Sequence, residues 1–363
     1  MSHELGKLLS ESGFLLNKFE NEIWDCIQGK VVLITGGTGF LGRTLTSRFL
    51  EFEPQSLRIF SRDEVKHFRF NNQFESHPHF DCIRNLVGDV RDYDRISKAM
   101  EDVDVVIHAA ALKRIDMIEY NVAESIKTNI LGTLNVANAA LRNNVGKSLF
   151  VSTDKACSPL NSYGACKLLG ERIFTEMNYS KGKSKSILSS VRYGNVLAST
   201  GSIIPFFKNK IEAGVSIPLT HPEMTRFIIS ADEAVDLVLK DLVYSVGGEV
   251  MVPFIPSMKI VDLIEVMKTS LGADNEIVNI GIRPGEKIHE VLINEFEIPL
   301  TYKIDNTFAI TSLIERYQDG TKTPIYKLKG EKMDNSKMSE YSSRNHLISR
   351  QEIEKYLNKF NLL

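Results

Sequence analysis

The sequence predicts an α/β fold, a doubly wound parallel sheet followed by a smaller C-terminal lobe. Three observations carry that expectation. Short apolar, β-branched runs alternate with stretches long enough for helices, which is the pattern of βαβ units and a parallel sheet. The first of these runs breaks directly into glycine-rich sequence. From about residue 195 the alternation becomes irregular, and Pro205, Pro218, Pro222, Pro253 and Pro256 punctuate shorter elements. A chain of 363 residues, at roughly 150 per domain, suits one large or two modest domains.

Residues 1–28 read as an N-terminal helical extension, because Leu8, Leu9, Leu15, Leu16, Phe19, Ile23 and Trp24 recur at helical spacing. A helix packed against the main body is favoured over an arm that docks a partner. No basic stretch leads into an apolar run there, so a signal peptide is not expected. The span 29–194 reads as the nucleotide-binding domain. Val31 to Thr35 forms a strand, then a turn, then a helix through Leu45 and Leu50. Further strands are expected at Leu57 to Phe60, Ile83 to Val87, Val103 to Ala109, Leu149 to Ser152 and Ile187 to Val191. Helices fill Asp92 to Glu101, Glu119 to Asn143 and Asn161 to Met177, and residues 180–186 form a solvated loop. The span 195–363 is the smaller, partly interleaved lobe.

Composition narrows the class. Hydrophobic residues at 43 % and charged residues at 25 % match an ordinary globular protein and exclude disordered, collagen-like and coiled-coil chains. Forty-four Lys plus Arg against 46 Asp plus Glu leave a net charge of -2, with no excess that would draw nucleic acid or an anionic membrane. Any anionic ligand must be met locally. No apolar run approaches the ~18 residues of a membrane span. Cys26, Cys82, Cys157 and Cys166 form no CxxC pair, so a reducing, cytoplasmic setting and no metal site are expected.

The glycine loop Thr35-Gly-Gly-Thr-Gly-Phe-Leu-Gly42 closes a strand and opens a helix. Its glycines permit a tight turn and close approach of a pyrophosphate, so Gly36, Thr38, Gly39, Phe40, Leu41 and Gly42 are candidate dinucleotide contacts in a Rossmann-like fold. The adenosine ribose is read about 20 residues further on, where Ser61, Arg62 and Asp63 stand. Arg62 beside Ser61 can receive a 2′-phosphate, which favours NADP over NAD, while Asp63 can pair with a neighbouring base. Asp89 and Val90 fall where the adenine edge would lie, although an Asp at that spacing also suits a cap. Ala109, Ala111 and Lys113 follow the fourth strand, where small residues admit a cofactor. Tyr163 and Lys167 are four apart and share one helix face. An ammonium and a positive nicotinamide ring beside a phenol stabilise its phenolate, which makes Tyr163 a candidate base at a sugar hydroxyl.

These residues resemble the extended short-chain dehydrogenase/reductases, and more narrowly the soluble UDP-N-acetylglucosamine 4,6-dehydratases that invert C5. The matches are TGGTGFLG (35–42), FSRDE (60–64), GDVRD (88–92), HAAALK (108–113), EYN (119–121), IKTNILG (126–132), STDKA (152–156) and YGACK (163–167). They continue through VRYGNV (191–196), MTRF (224–227), IPSMK (255–259), GIRPGEKIHEV (281–291) and EYSS (340–343). Lys155 after Asp154, and a Tyr only ten residues after Thr153, distinguish the chain from nucleotide-glucose dehydratases. Asp116, Val122, Thr200 and Ile228 depart from the family pattern.

The resemblance implies a mechanism. Tyr163, supported by Lys167 and Thr153, takes the C4 hydroxyl proton while hydride passes to NADP. Lys155, if its amine is neutral, removes the C5 proton acidified by the 4-ketone; Asp154, if protonated, donates to the departing C6 hydroxyl. Hydride returns to C6, and protonation from the opposite face inverts C5. Thr128 joins the cofactor contacts by motif. Arg283, Lys113, Asn195, Glu286, Thr200, Gly201 and Ser202 are the implied contacts to UDP-N-acetylglucosamine, and a homo-oligomer, dimer or hexamer, is expected. The alternatives are a C5-retaining dehydratase, a 4-epimerase, or an NADP-binding regulatory protein. The last would be expected to have a broken Tyr-Lys pair, which this sequence lacks.

Overall fold

The computed structural model describes residues 21–197, 202–314, 323–360 and 362–363. Six parallel strands form its centre: β1 (Val31–Thr35), β2 (Ser56–Ser61), β3 (Ile83–Val87), β4 (Val105–His108), β5 (Lys147–Val151) and β6 (Ile187–Val191). They lie in the order β3-β2-β1-β4-β5-β6. The direction of winding therefore reverses between β1 and β4, which opens a crevice at their carboxyl ends.

Side chains of β1 alternate between two cores. Val32 and Ile34 enter one with Leu45 and Phe49, while Val31 and Leu33 enter the other with Val136, Phe150 and Phe174. Both faces are apolar because helices cover both, as in parallel sheets generally. Beyond β6 the sheet continues through Val250–Pro253, parallel to β6, and then antiparallel Thr307–Ile310, Thr301–Ile304 and Glu331–Lys332. Segments from both sides of residue 195 thus share one sheet. A third core gathers Leu197, Ile204, Phe207, Ile228, Met258, Leu263, Ile353 and Leu357, around a small sheet of Asn195–Val196, Thr225–Ile229 and Ser257–Lys259.

Strand positions agree with the sequence reading to within one or two residues. The stretch 119–143, expected to be helical, is a series: Ile115–Tyr120, Val122–Ser125, a π-helical turn at Ile126–Leu131, and Gly132–Arg142. Most of the N-terminal extension lies outside the described residues. Its helical residues 21–27 do pack on the body: Ile23 and Ile27 are buried, and Trp24 meets Phe52 edge-on at 5.8 Å. Among the described residues no helix is long and apolar enough to cross a membrane.

One buried network joins the parts. Arg192, immediately after β6, is fully buried. Its Nε and Nη2 donate to Glu171 at 2.9 and 2.6 Å, its Nη1 and Nη2 to Glu297 at 2.8 and 2.9 Å, and Nη1 also to the Leu292 carbonyl at 2.8 Å. Removing such a cation strands two carboxylates in the interior. Arg192→Ala is expected to lose about 3–5 kcal/mol of stability, read as a lowered urea midpoint; a loss below about 1 kcal/mol, the range of exposed pairs, would refute the assignment.

Asp241 supplies a pH dependence. It is buried on helix Ala231–Tyr244, with Ser189 Oγ donating to Oδ2 at 2.5 Å and Oδ1 without a partner. Burial pushes its carboxyl up to about 8 from 3.8. Because the folded value exceeds the unfolded one, its contribution is full below about 3.8 and fades until about 8. Melting temperature should fall across that window, and Asp241→Asn should flatten the fall.

Candidate active site

After β1 the chain turns at Gly36, whose φ of 68° is left-handed. A Cβ there would sit 2.9 Å from the Cα of Ala110, so the loop reaches the end of β4 only over a glycine. A Cβ on Gly42 would lie 2.2 Å from the Gly37 carbonyl oxygen. Helix Phe40–Leu50 opens on an extended Gly39 with no side-chain cap, which leaves first-turn amides to a ligand. Bare backbone donors at the positive end of a helix fit a pyrophosphate. Thr38, Phe40 and Leu41 belong to the same turn.

At the end of β2, Ser61 Oγ lies 2.8 Å from Thr38 Oγ1 and 3.0 Å from His67 Nε2. The Arg62 side chain is half exposed and 3.5 Å from Asp89 Oδ2. Burial raises the Asp89 carboxyl, but Arg91 outweighs it and holds the group below the ordinary carboxylate range. Asp63 caps helix Glu64–Phe74, accepting from the Lys66 amide at 3.0 Å. Val90 is buried against Gly132. Ala109, Ala111 and Lys113 occupy the segment after β4, and Thr128 is buried in the π-helical turn. Asn129, which the sequence reading missed, fixes that segment: its Oδ1 accepts from Leu112 N and its Nδ2 donates to Leu112 O, both at 2.8 Å.

The chain leaves β5 into a tight turn at Asp154–Ala156, pinned by Asp154 N donating to the Tyr193 carbonyl at 2.9 Å. Thr153 Oγ1 and Lys155 Nζ both donate to Asp154 Oδ1, at 2.8 and 3.0 Å. Asp154 is fully buried, and its Oδ2 has no partner. Helix Ser162–Ser180 follows, capped by Asn161 Oδ1 on the Gly164 amide at 2.8 Å. A Cβ on Gly164 would lie 2.2 Å from the Lys155 carbonyl oxygen, so this glycine seats the helix on the turn. Tyr163 and Lys167 both belong to this helix.

Two electrostatic expectations are corrected. The Lys167 ammonium, together with a nicotinamide ring, was expected to stabilise the Tyr163 phenolate. Its Nζ instead donates to the Val151 carbonyl at 2.7 Å and lies 4.4 Å from the Phe150 ring centroid, and burial pulls it down to about 8. Burial pushes Tyr163 up to about 12, opposed by Lys155 and a hydrogen bond with Thr153. The other correction concerns the neutral Lys155 amine required of a base. Burial lowers it, but Asp154 and Glu290 prevail and hold the ammonium above its ordinary range. Glu290 was not singled out in the sequence; its place inside GIRPGEKIHEV was the only signal.

The substrate candidates divide. Thr200 and Gly201 lie outside the described residues, and Arg283 and Lys113 are exposed. Asn195 stands two residues after Tyr193, whose carbonyl pins Asp154. Glu286 follows Gly285, whose carbonyl accepts from Asn161 at 2.9 Å. Asn195 Oδ1, Ser202 Oγ and Glu286 Oε2 are buried without partners.

A parallel sheet with a glycine loop at its switch point, and an acid, an amine and a phenol in the turn and helix that follow β5, define a Rossmann-like α/β scaffold. The chain belongs to the polysaccharide biosynthesis protein family, whose model matches residues 32–312. It is 44 % identical to the UDP-N-acetylglucosamine 4,6-dehydratase (inverting) of Campylobacter jejuni, over 88 % of this chain and 93 % of that one. A UDP-glucose 4-epimerase of Rickettsia massiliae is 40 % identical over 74 % of this chain and 79 % of its own length. The X-ray structure of Pen from Bacillus thuringiensis superposes with a TM-score of 0.84 at 36 % identity, covering 93 % of this chain and 99 % of that one. The resemblance read from the motifs is borne out.

Proposed function

We propose that this protein converts UDP-N-acetylglucosamine into UDP-2-acetamido-2,6-dideoxy-β-L-arabino-hexos-4-ulose, eliminating water across C5 and C6 and inverting C5, with NADP restored in every turnover. The observation that carries the reading is the cluster of Thr153, Asp154, Lys155 and Tyr163, in which Asp154 Oδ2 is buried and unpartnered. Similarity to the Campylobacter enzyme supports the substrate.

The glycine loop would hold the cofactor pyrophosphate, and Ser61 with Arg62 a 2′-phosphate. A bound nicotinamide would supply the chemistry of a hydride acceptor toward C4 and a hydride donor toward C6. Tyr163 accepts the C4 hydroxyl proton, which requires that nearby cations bring its phenol down from about 12. Lys167 stands one helical turn away and is itself near 8. Asp154 Oδ2 is the atom available to the C6 hydroxyl. Lys155 must release its extra proton before it takes the one at C5. Arg283 would face the diphosphate, with Asn195, Ser202 and Glu286 around the sugar. Similarity to the Rickettsia epimerase favours a second reading, C4 inversion without loss of water.

Proton NMR of the product made in D₂O separates these readings. Deuterium at C5 with ring couplings of the L configuration is expected; a stable D-xylo product from the first turnovers would disprove inversion, and a C4 epimer retaining its C6 hydroxyl would establish the second reading. Tyr163→Phe should block removal of a C4 deuterium label. Lys155→Ala should leave that removal intact but slow the elimination by about 10²- to 10⁴-fold, so the two variants fail at different steps. Arg62→Ala should weaken NADP binding more than NAD binding, measured by calorimetry; equal weakening would count against the 2′-phosphate assignment.

A further inference from the structure

Glu290 lies in the segment before strand Val291–Ile293, 135 residues after Lys155, and is buried with 2 % of its surface exposed. Its Oε1 is 3.6 Å from Lys155 Nζ and 3.9 Å from Arg226 Nε, and its Oε2 is 3.8 Å from Lys287 Nζ. Oε2 makes no hydrogen bond. Three cations lie within 3.9 Å of its oxygens, so the carboxylate is not committed to a single partner. Its backbone is fixed on both sides: Glu290 N donates to Ser343 Oγ at 2.9 Å, and Ser343 N to the Glu290 carbonyl at 2.8 Å.

We propose that Glu290 is a positioning residue that sets the protonation of Lys155, so that the charge of the C5 base is controlled from the segment that also carries the implied substrate contacts. The charged and titratable groups around Lys155 are Asp154 on its own turn, Tyr163 on helix Ser162–Ser180, Arg226 on strand Thr225–Ile229, and Glu290. Asp154 is adjacent in sequence and cannot move far from the lysine. Of the two anions on the amine, Glu290 is the one whose contact joins distant segments, so a shift there leaves one anion in place of two. Loss of an anion at this distance favours the neutral amine. The proton balance is simple: Lys155 releases its extra proton before the reaction and takes one from C5 during it. The role given to the amine rests on the dehydratase reading; the link between Glu290 and its charge does not.

The test measures that charge without substrate. Competitive acetylation of the full-length protein with trace acetic anhydride, mapped by mass spectrometry over a pH series, gives the titration midpoint of Lys155. Glu290→Gln should move it down by at least about one unit, whereas Glu290→Asp, which keeps the charge, should move it by less than half of that. An unchanged midpoint in Glu290→Gln overturns the proposal. If Glu290→Gln does not fold, Lys287→Met, which removes a competing cation from Glu290, must raise the midpoint of Lys155, and no rise overturns it equally. With UDP-N-acetylglucosamine, the acid limb of kcat should shift with the labelling midpoint while KM changes little. A labelling shift without any turnover would sink the dehydratase reading and leave the Glu290 link standing.

Discussion

The guanidinium of Arg192 uses all five of its N–H donors inside the protein, and the arrangement of the candidate site depends on it. Glu171, one partner, lies one helical turn beyond Lys167 and also accepts from Ser152 Oγ at 2.5 Å, the residue before Thr153. Glu297, the other partner, lies seven residues beyond Glu290. The clamp thus fixes the end of β5, the helix bearing Tyr163, and the segment bearing Glu290 with respect to one another. A buried cation with two bidentate carboxylates is costly to desolvate and stabilises little in net terms, but it tolerates only one geometry. Here that geometry sets which carboxylate meets which lysine.

Two lysines twelve residues apart show what such placement does. Both are drawn toward neutrality by burial. Lys155 meets two carboxylates and is held charged; Lys167 meets a carbonyl and an aromatic face and falls to about 8. The same side chain therefore enters one site in two states. An amine near 8 exchanges its proton at ordinary pH, which suits the supporting role that the proposed reaction gives it beside Tyr163. A firmly charged one suits holding Asp154 in place until a partner changes.

How much of this was legible follows the range of the interactions. The strands β1 to β6, the glycine loop and the Tyr163–Lys167 pairing are local patterns of period, turn chemistry and helical spacing, and a single sequence displays them. The motifs extended the reading to Thr153, Asp154 and Lys155. Arg192, Glu171, Glu290, Glu297 and Asn129 were missed because each is a polar residue whose partner lies far along the chain, 105 positions away for Arg192 and Glu297, and no periodicity marks such a pair. The errors in electrostatics have the same origin. Sequence places Lys167 on the face of Tyr163, but it does not show that the Val151 carbonyl receives the amine, or that burial outweighs charge.

Unpartnered polar atoms give an independent sense of where a ligand belongs. Leaving a buried polar group without a hydrogen bond costs about 1–3 kcal/mol, so folded proteins keep few. Among the described residues, Asp154, Asn195, Ser202, Glu286 and Glu290 each have such an atom, and all come from the turn after β5 or from segments that follow β6. Ser148, Ser190, Asp241 and Thr307 form a different case: they lie on β5, on β6, on the helix packed against them and on strand Thr307–Ile310, and burial keeps Asp241 largely neutral, which lessens the cost. The polar deficit around the candidate site is thus the kind that a polar ligand can fill, and the folding energy it forgoes can be recovered on binding.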